Sequence, residues 1–265
     1  MDTRSGKRFR STLARAVGRV LDGYFDQRAQ QEREATKARH DELIAWMTAF
    51  ERRQRRDVYT AMERAAANES AAFAIEAFGD ARPFFHPHDT LRNAVEQSPP
   101  KGLALEFGVA TGRTLNVMAR SRGQREVFGF DSFEGLPEHW RWGFEEGTFA
   151  GKPPVVQGAT VIEGMFQDVL PGFLKKHGGK LAVAHIDSDL YSAAIYVLQQ
   201  LRPRMVEGTV IIFDEYYNFP GWREHEFRAW QEFVAETGLE YEYLGATADD
   251  EQVSVRITAP PKPVS

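Results

Sequence analysis

Apolar positions in the first quarter of the chain recur at helical spacing: Leu43, Met47 and Phe50 share a face, as do Val58 and Met62, and residues 4–67 contain no proline. This predicts helices, although the apolar seam between Asp26 and Asp41 is too thin for a long coiled coil. After RPFFHPHD, residues 82–89, the texture changes to short apolar runs separated by turns. Runs over residues 103–109, 126–130, 160–163, 181–186 and 209–213 are continuous rather than alternating in polarity, as parallel strands covered on both faces require. Helix patterns fall at 114–121 and at 192–201, the latter ending before Pro203. A further helix over 223–237 places Phe227, Trp230, Phe233 and Val234 on one side and stops at Gly238. Two last runs, LEYEYLG and QVSVRIT, joined by ATADDE, read as an antiparallel hairpin closing the sheet edge. The alternation predicts an α/β, doubly wound, mostly parallel sheet over residues 71–265, behind a helical extension over residues 1–70.

Composition narrows the function classes. A length of 265 residues suits one domain with an appendage, and 42% hydrophobic with 27% charged residues is ordinary for a soluble protein. No apolar run is long enough to span a bilayer, so a cytoplasmic protein is expected. The absence of cysteine excludes disulfides, thiolate metal sites and a cysteine nucleophile, so any metal must use oxygen or imidazole ligands. The net charge of −5 is uneven: the first 20 residues carry six Arg and Lys against one Asp, a net of +5 that leaves −10 on the rest. An acidic body argues against nucleic acid as a partner. RFRSTLARAVGRVLDGYF, residues 8–25, is a basic amphipathic stretch suited to packing as a homo-oligomer arm, to peripheral contact with an anionic membrane, or to targeting, with packing favoured.

In a sheet of this kind ligands bind beyond the carboxyl ends of the strands, and the polar residues there are unusually acidic. LEFGVATG, residues 105–112, places Glu106 before a turn with Gly108, Thr111 and Gly112 that leads into a helix. The glycines let a ligand approach the backbone, and the acid suits an ammonium or hydroxyl-bearing ligand better than a pyrophosphate. VFGFDSFEGLPE ends a strand in Asp131 and Ser132, about twenty residues beyond the glycine turn, where an acid reaches ribose hydroxyls. VIEGMFQDVLP offers Gly164, Met165 and Phe166 to the edge of an adenine ring. VAHIDSDLY and IIFDEYYN then deliver Asp187, Asp189, Asp214 and Glu215 from neighbouring strands. Carboxylates so crowded either hold protons or bind a hard divalent cation. His185 reads as a packed strand residue, facing opposite to Ala184 and Ile186.

LEFGVATGRT, VFGFDSFEGLPE, IEGMFQDVLP, HIDSDLYSA and VIIFDEYYNFPGW, in this order over residues 84–258, resemble the class I S-adenosylmethionine methyltransferases, specifically the magnesium-dependent macrocin O-methyltransferase (TylF) family. The resemblance implies a seven-stranded sheet and S-adenosylmethionine held by Glu106, Gly108, Thr111, Gly112, Asp131, Ser132, Gly164, Met165, Phe166 and Asp187. It also implies Mg²⁺ held by Asp187, Asp214 and Glu215. Glu215 departs from the Asp of better-known members, which puts the placing of the metal in question. Residues 1–70 fall outside the resemblance.

The expected chemistry is methyl transfer to a hydroxyl of a sugar or natural product, with Asp189 or His225 accepting the proton. HWRWGFEEGTFAGKPP, residues 139–154, with its two Trp and two Phe, reads as a lid over the acceptor or as a satellite core against the N-terminal helices. Two other readings stand beside this one: a nicotinamide-cofactor enzyme, disfavoured by Glu106 in the phosphate turn, and a non-catalytic scaffold docking through its basic arm.

Overall fold

A computed structural model describes residues 3–123 and 126–262, with the side chains of the first helix described from Gly18 onward, Val20 and Asp22 excepted. The chain forms two compact units that divide between Ala61 and Met62. In the first, the proline-free sequence folds as α1 (Thr3–Arg56). Leu43, Met47 and Phe50 are exposed on it, and Trp46 stacks on Phe50 at 5.7 Å, one turn away. Most of the basic stretch 8–25 lies outside the described side chains. Asp57 interrupts the helix: its Oδ1 accepts the N–H groups of Tyr59 and Thr60 at 3.0 and 3.4 Å, a cap from which α2 (Val58–Ala77) starts.

The second unit takes up the rest of α2. Ser70 is buried and its Oγ accepts the Asn218 N–H at 2.9 Å, while Phe73 packs edge-on to Phe78 and Phe227. The division therefore falls at 61/62 rather than at residue 70. After α2 come β1 (Arg82–Phe84), α3 (Pro87–Gln97), β2 (Leu103–Phe107), α4 (Arg113–Arg122), β3 (Val127–Asp131), β4 (Ala159–Glu163), α5 (Phe166–Lys176), β5 (Leu181–Ile186), α6 (Tyr191–Leu201), β6 (Val210–Phe213), α7 (Glu226–Thr237), β7 (Glu240–Thr247) and β8 (Val253–Ala259).

The strands form one sheet in the order β1-β7-β8-β6-β5-β2-β3-β4, parallel except for β8. The continuous apolar runs explain this: every residue of β2, β5 and β6 is buried, which a strand covered by helices on both faces tolerates. From β2 the chain steps outward to β3 and β4, then returns to β5 on the other side of β2. That reversal opens a crevice beyond the carboxyl ends of β2 and β5.

Three expectations need correction. Among the described residues the sheet has eight strands rather than seven, because Arg82–Phe84 pairs with β7, Arg82 opposite Gly245. The hairpin of β7 and β8 does not close the edge, since β1 lies outside it. Pro83 is acceptable there because an edge strand has one side that need not donate. Residues 223–237 also divide into a short 3-10 turn, Trp222–Glu224, and α7. Among the described residues, no helix is long and apolar enough to cross a membrane.

Candidate active site

The carboxyl end of β2 turns sharply at Gly108, whose φ is +96°. A Cβ at this position would lie 1.7 Å from the Asp187 carbonyl oxygen, so only glycine allows the turn to rest on the end of β5. Asp131, at the end of β3, braces the same turn: its Oδ2 accepts the N–H groups of Val109 and Ala110 at 2.8 Å each, and its Oδ1 accepts that of Phe133 at 2.7 Å. A carboxylate has about four lone-pair positions, so three backbone bonds leave room for a ligand hydroxyl.

Glu106 does not face the crevice. It is fully buried behind the turn, accepting a bond from the Thr114 hydroxyl at 2.9 Å, with His185 Nδ1 3.4 Å from its other oxygen. On the far side of the ring, His185 Nε2 lies 3.3 Å from Asp214 Oδ1. Register sets this up, because Glu106 pairs with His185 across β2 and β5, and His185 with Ile212 across β5 and β6. Burial opposes charge on the imidazole, but the hydrogen bonds to Asp214 and Glu106 outweigh it and raise its pKa well above the ordinary value. His185 is thus a packed strand residue, as read from the sequence, and also the link between two acids.

Asp187, Asp189 and Glu215 converge, with one carboxylate oxygen of each within 4.8 Å of the others, and His185, Asp187 and Asp214 form a second such group. Asp187 belongs to both, while Asp214 and Glu215 fall in different groups. Burial, then the charge of Asp214, pushes Asp187 well above the usual carboxylate range, and the same causes bring Asp189 up to about 7. Burial, then Asp189, raises Glu215 in the same direction. Asp189 takes a left-handed backbone, φ +60°, unusual outside glycine. Glu215 Oε2 is buried with no hydrogen-bond partner. An unmatched carboxylate oxygen among like charges is what a hard cation would satisfy, so the donor set fits a divalent ion.

These groups share a cavity of about 330 Å³. Its walls include Gly108, Asp131, Ser132, Gly164, Met165 and Phe166 at one end, and Asp187, Asp189, Asp214 and Glu215 at the other. Thr111 and Gly112 are not on these walls. His225 is not either; it sits half-buried at the start of α7, its ring 6.3 Å from that of Trp140, and burial lowers its pKa. The segment 139–154 returns to the cavity at Phe149, next to the bond from the Leu136 N–H to the Thr148 carbonyl at 2.9 Å. Leu136 and Trp140 pack with Leu190, and Phe149 joins Leu136 and Pro137 on the cavity wall. Arg141 stacks on Trp140 and Phe219, 4.1 and 4.5 Å from their centroids, and pairs with Glu251 at 2.9 Å.

One buried acid escaped the sequence reading. Glu226, first residue of α7, is fully buried; its Oε1 accepts the Ser188 N–H at 3.3 Å and its Oε2 the Glu215 N–H at 3.1 Å. Burial, then Asp214, raises its pKa well above the usual range. Its only sequence signal is a charged residue on the helix face that carries Trp230 and Phe233.

The profile of a family described as a methyltransferase domain matches residues 105–216, which hold the glycine turn and every acid on the cavity wall. A curated relative from Streptomyces olivaceus, 8-demethyl-8-(2,3-dimethoxy-alpha-L-rhamnosyl)-tetracenomycin-C 4'-O-methyltransferase, is 29% identical over 157 residues, 48% of this chain. This chain spans 59% of that relative's length. Among solved structures, CalS11, a calicheamicin methyltransferase, matches at TM-score 0.51 and 26% identity, covering 64% of this chain and 76% of its own. The O-methyltransferase NovP matches in fold, at TM-score 0.50 and 24% identity, over 64% and 79% of the two chains.

Proposed function

We propose that the chain is a class I S-adenosylmethionine-dependent methyltransferase, similar to the TylF family, and that it methylates a hydroxyl of a sugar or glycosylated natural product. The observation that carries this reading is the single cavity in which the turn of Gly108 and Asp131 meets four further carboxylates. The rhamnosyl group named for the Streptomyces olivaceus relative supports a sugar as acceptor.

S-adenosylmethionine supplies a sulfonium-borne methyl group for in-line displacement by an acceptor oxygen, a reaction in which alignment alone can contribute about 7–11 kcal/mol. Asp131 would take the ribose hydroxyls with the acceptor capacity its backbone bonds leave free, beside Ser132, and Met165 and Phe166 would edge the adenine. The carboxylates of Asp131 and Asp187 favour a cationic donor. Asp187, Asp214 and Glu215 would hold Mg²⁺, which would supply positive charge beside the acceptor hydroxyl and lower its pKa. Asp187 belongs to both groups of converging ligand atoms, one with Asp214 and one with Glu215, which supports its place at the centre of that donor set. Asp189 is the proton acceptor favoured over His225: it lies on the cavity wall, and its pKa of about 7 suits proton uptake near neutral pH. Leu136, Phe149 and the cluster around Trp140 form a lid that excludes water from the reacting groups.

The test is methyl transfer from radiolabelled S-adenosylmethionine to a panel of rhamnosides and other hydroxylated glycosides, with and without Mg²⁺. Label in an acceptor methoxyl group is expected, and Asp214→Asn should cut turnover at least about a hundredfold while leaving donor affinity near wild type. Tight donor binding without transfer to any glycoside would sink the sugar reading.

A further inference from the structure

We propose that Glu226 is a positioning residue: its carboxylate fixes the loop bearing Asp187 and Asp189 against the loop bearing Asp214 and Glu215. The inference rests on the methyltransferase reading above and concerns what assembles its acidic wall.

The two loops leave the paired strands β5 and β6, whose ladder ends with the Asp214 N–H on the Ile186 carbonyl at 2.9 Å; beyond that bond the chains part. Ser188 lies between Asp187 and Asp189, and its backbone N–H is held by one oxygen of Glu226 at 3.3 Å. The N–H of Glu215 is held by the other oxygen at 3.1 Å. One side chain thus ties points 38 and 11 residues away in sequence. Its own platform is firm: Ala229, Trp230 and Phe233, on the same helix, are fully buried in the core. A glutamate present only to start a helix would face solvent, where its charge meets the helix dipole at no desolvation cost. Glu226 is instead fully buried next to other acids and spends both oxygens on backbone outside its own helix. Within these loops Asp214 is held by His185 Nε2 at 3.3 Å, but Ser188 Oγ and Glu215 Oε2 are buried without partners, so neither of them fixes its loop. Past the end of the strand ladder, the backbone bonds to Glu226 join the two loops at Ser188 and Glu215.

Glu226→Gln keeps the shape but turns an amide NH₂ toward one of the two N–H groups, so one loop is released; Glu226→Ala releases both. The probes are Mn²⁺, followed by its paramagnetic resonance signal and by calorimetry, and S-adenosylmethionine, measured by calorimetry on the same full-length samples. The glutamine variant should weaken Mn²⁺ binding at least about tenfold, and the alanine variant further, with donor affinity falling much less because the bonds of Asp131 to the glycine turn do not involve Glu226. Far-UV circular dichroism should remain that of the wild type for the glutamine variant. Unchanged Mn²⁺ affinity in both variants would overturn the inference. So would equal loss of Mn²⁺ binding, donor binding and folded signal, the mark of a merely structural residue. Failure of the wild type to bind Mn²⁺ would also overturn it, leaving no site to position. Failure of the wild type to bind S-adenosylmethionine would instead sink the methyltransferase reading.

Discussion

Asp131 accepts three backbone N–H groups before any ligand arrives, so its removal acts on two properties at once. Sequence alone suggests that Asp131→Ala weakens donor binding with little effect on folding. The structure revises that expectation: calorimetric donor affinity should fall at least about tenfold, and the melting temperature should fall by roughly 5 °C as charged hydrogen bonds to the glycine turn are lost. Asp189 gives a pH prediction. Its folded pKa, about 7, lies above the unfolded value near ~3.9, so between these values the folded chain holds a proton that the unfolded chain has released. This contribution to stability is present below the unfolded pKa and is lost as pH rises through 7. In chelator-treated protein the melting temperature should decline from about pH 5 to pH 7, and saturating Mg²⁺ should flatten the decline. A melting temperature that rises over that range without metal would contradict the burial argument.

Elements differ in how far the sequence announces them. The strands β2 to β6 are legible as apolar runs, although β4 proves to be a half-exposed sheet edge, and the acids that follow β3, β5 and β6, Asp131, Asp187 and Asp214, are legible because a charge beside such a run must emerge where the strand does. β1 is not, since three residues that include Pro83 are shorter than any periodicity. Nor are the partners of His185, legible only as a packed strand residue, or the buried role of Glu226: those partners lie 79 and 38 residues away, and an acid without its partner reads as solvent-facing. Glu106 misleads for the same reason, being an acid at a strand end whose pleat turns it toward His185 rather than the crevice. The lid provides the element-scale test. Arg141 secures it by stacking between Trp140 and Phe219 and by pairing with Glu251, a group that burial brings up to about 7 despite Arg141. Arg141→Ala should make residues 139–154 about tenfold more sensitive to limited proteolysis and leave the sheet's hydrogen exchange unchanged.

At the scale of the molecule, the second unit has its own core and should fold without the first. A chain starting at Met62 should keep its far-UV spectrum, its cooperative melting and its affinity for S-adenosylmethionine. One starting at Phe78 loses Ser70 and the Phe73 ring from the aromatic cluster at Trp222 and Phe227, and should melt lower by roughly 10 °C or fail to accumulate. Equal melting of the two truncations would place residues 62–77 outside the domain.

The three-residue strand that ends the sheet at β1 also bears on self-association. An imide nitrogen has no hydrogen to offer, so a foreign extended segment laid along Arg82–Phe84 finds an interrupted ladder too short to template growth. This flank of the protein is guarded against fibril-like stacking by the shortness and the proline that hid the strand from view.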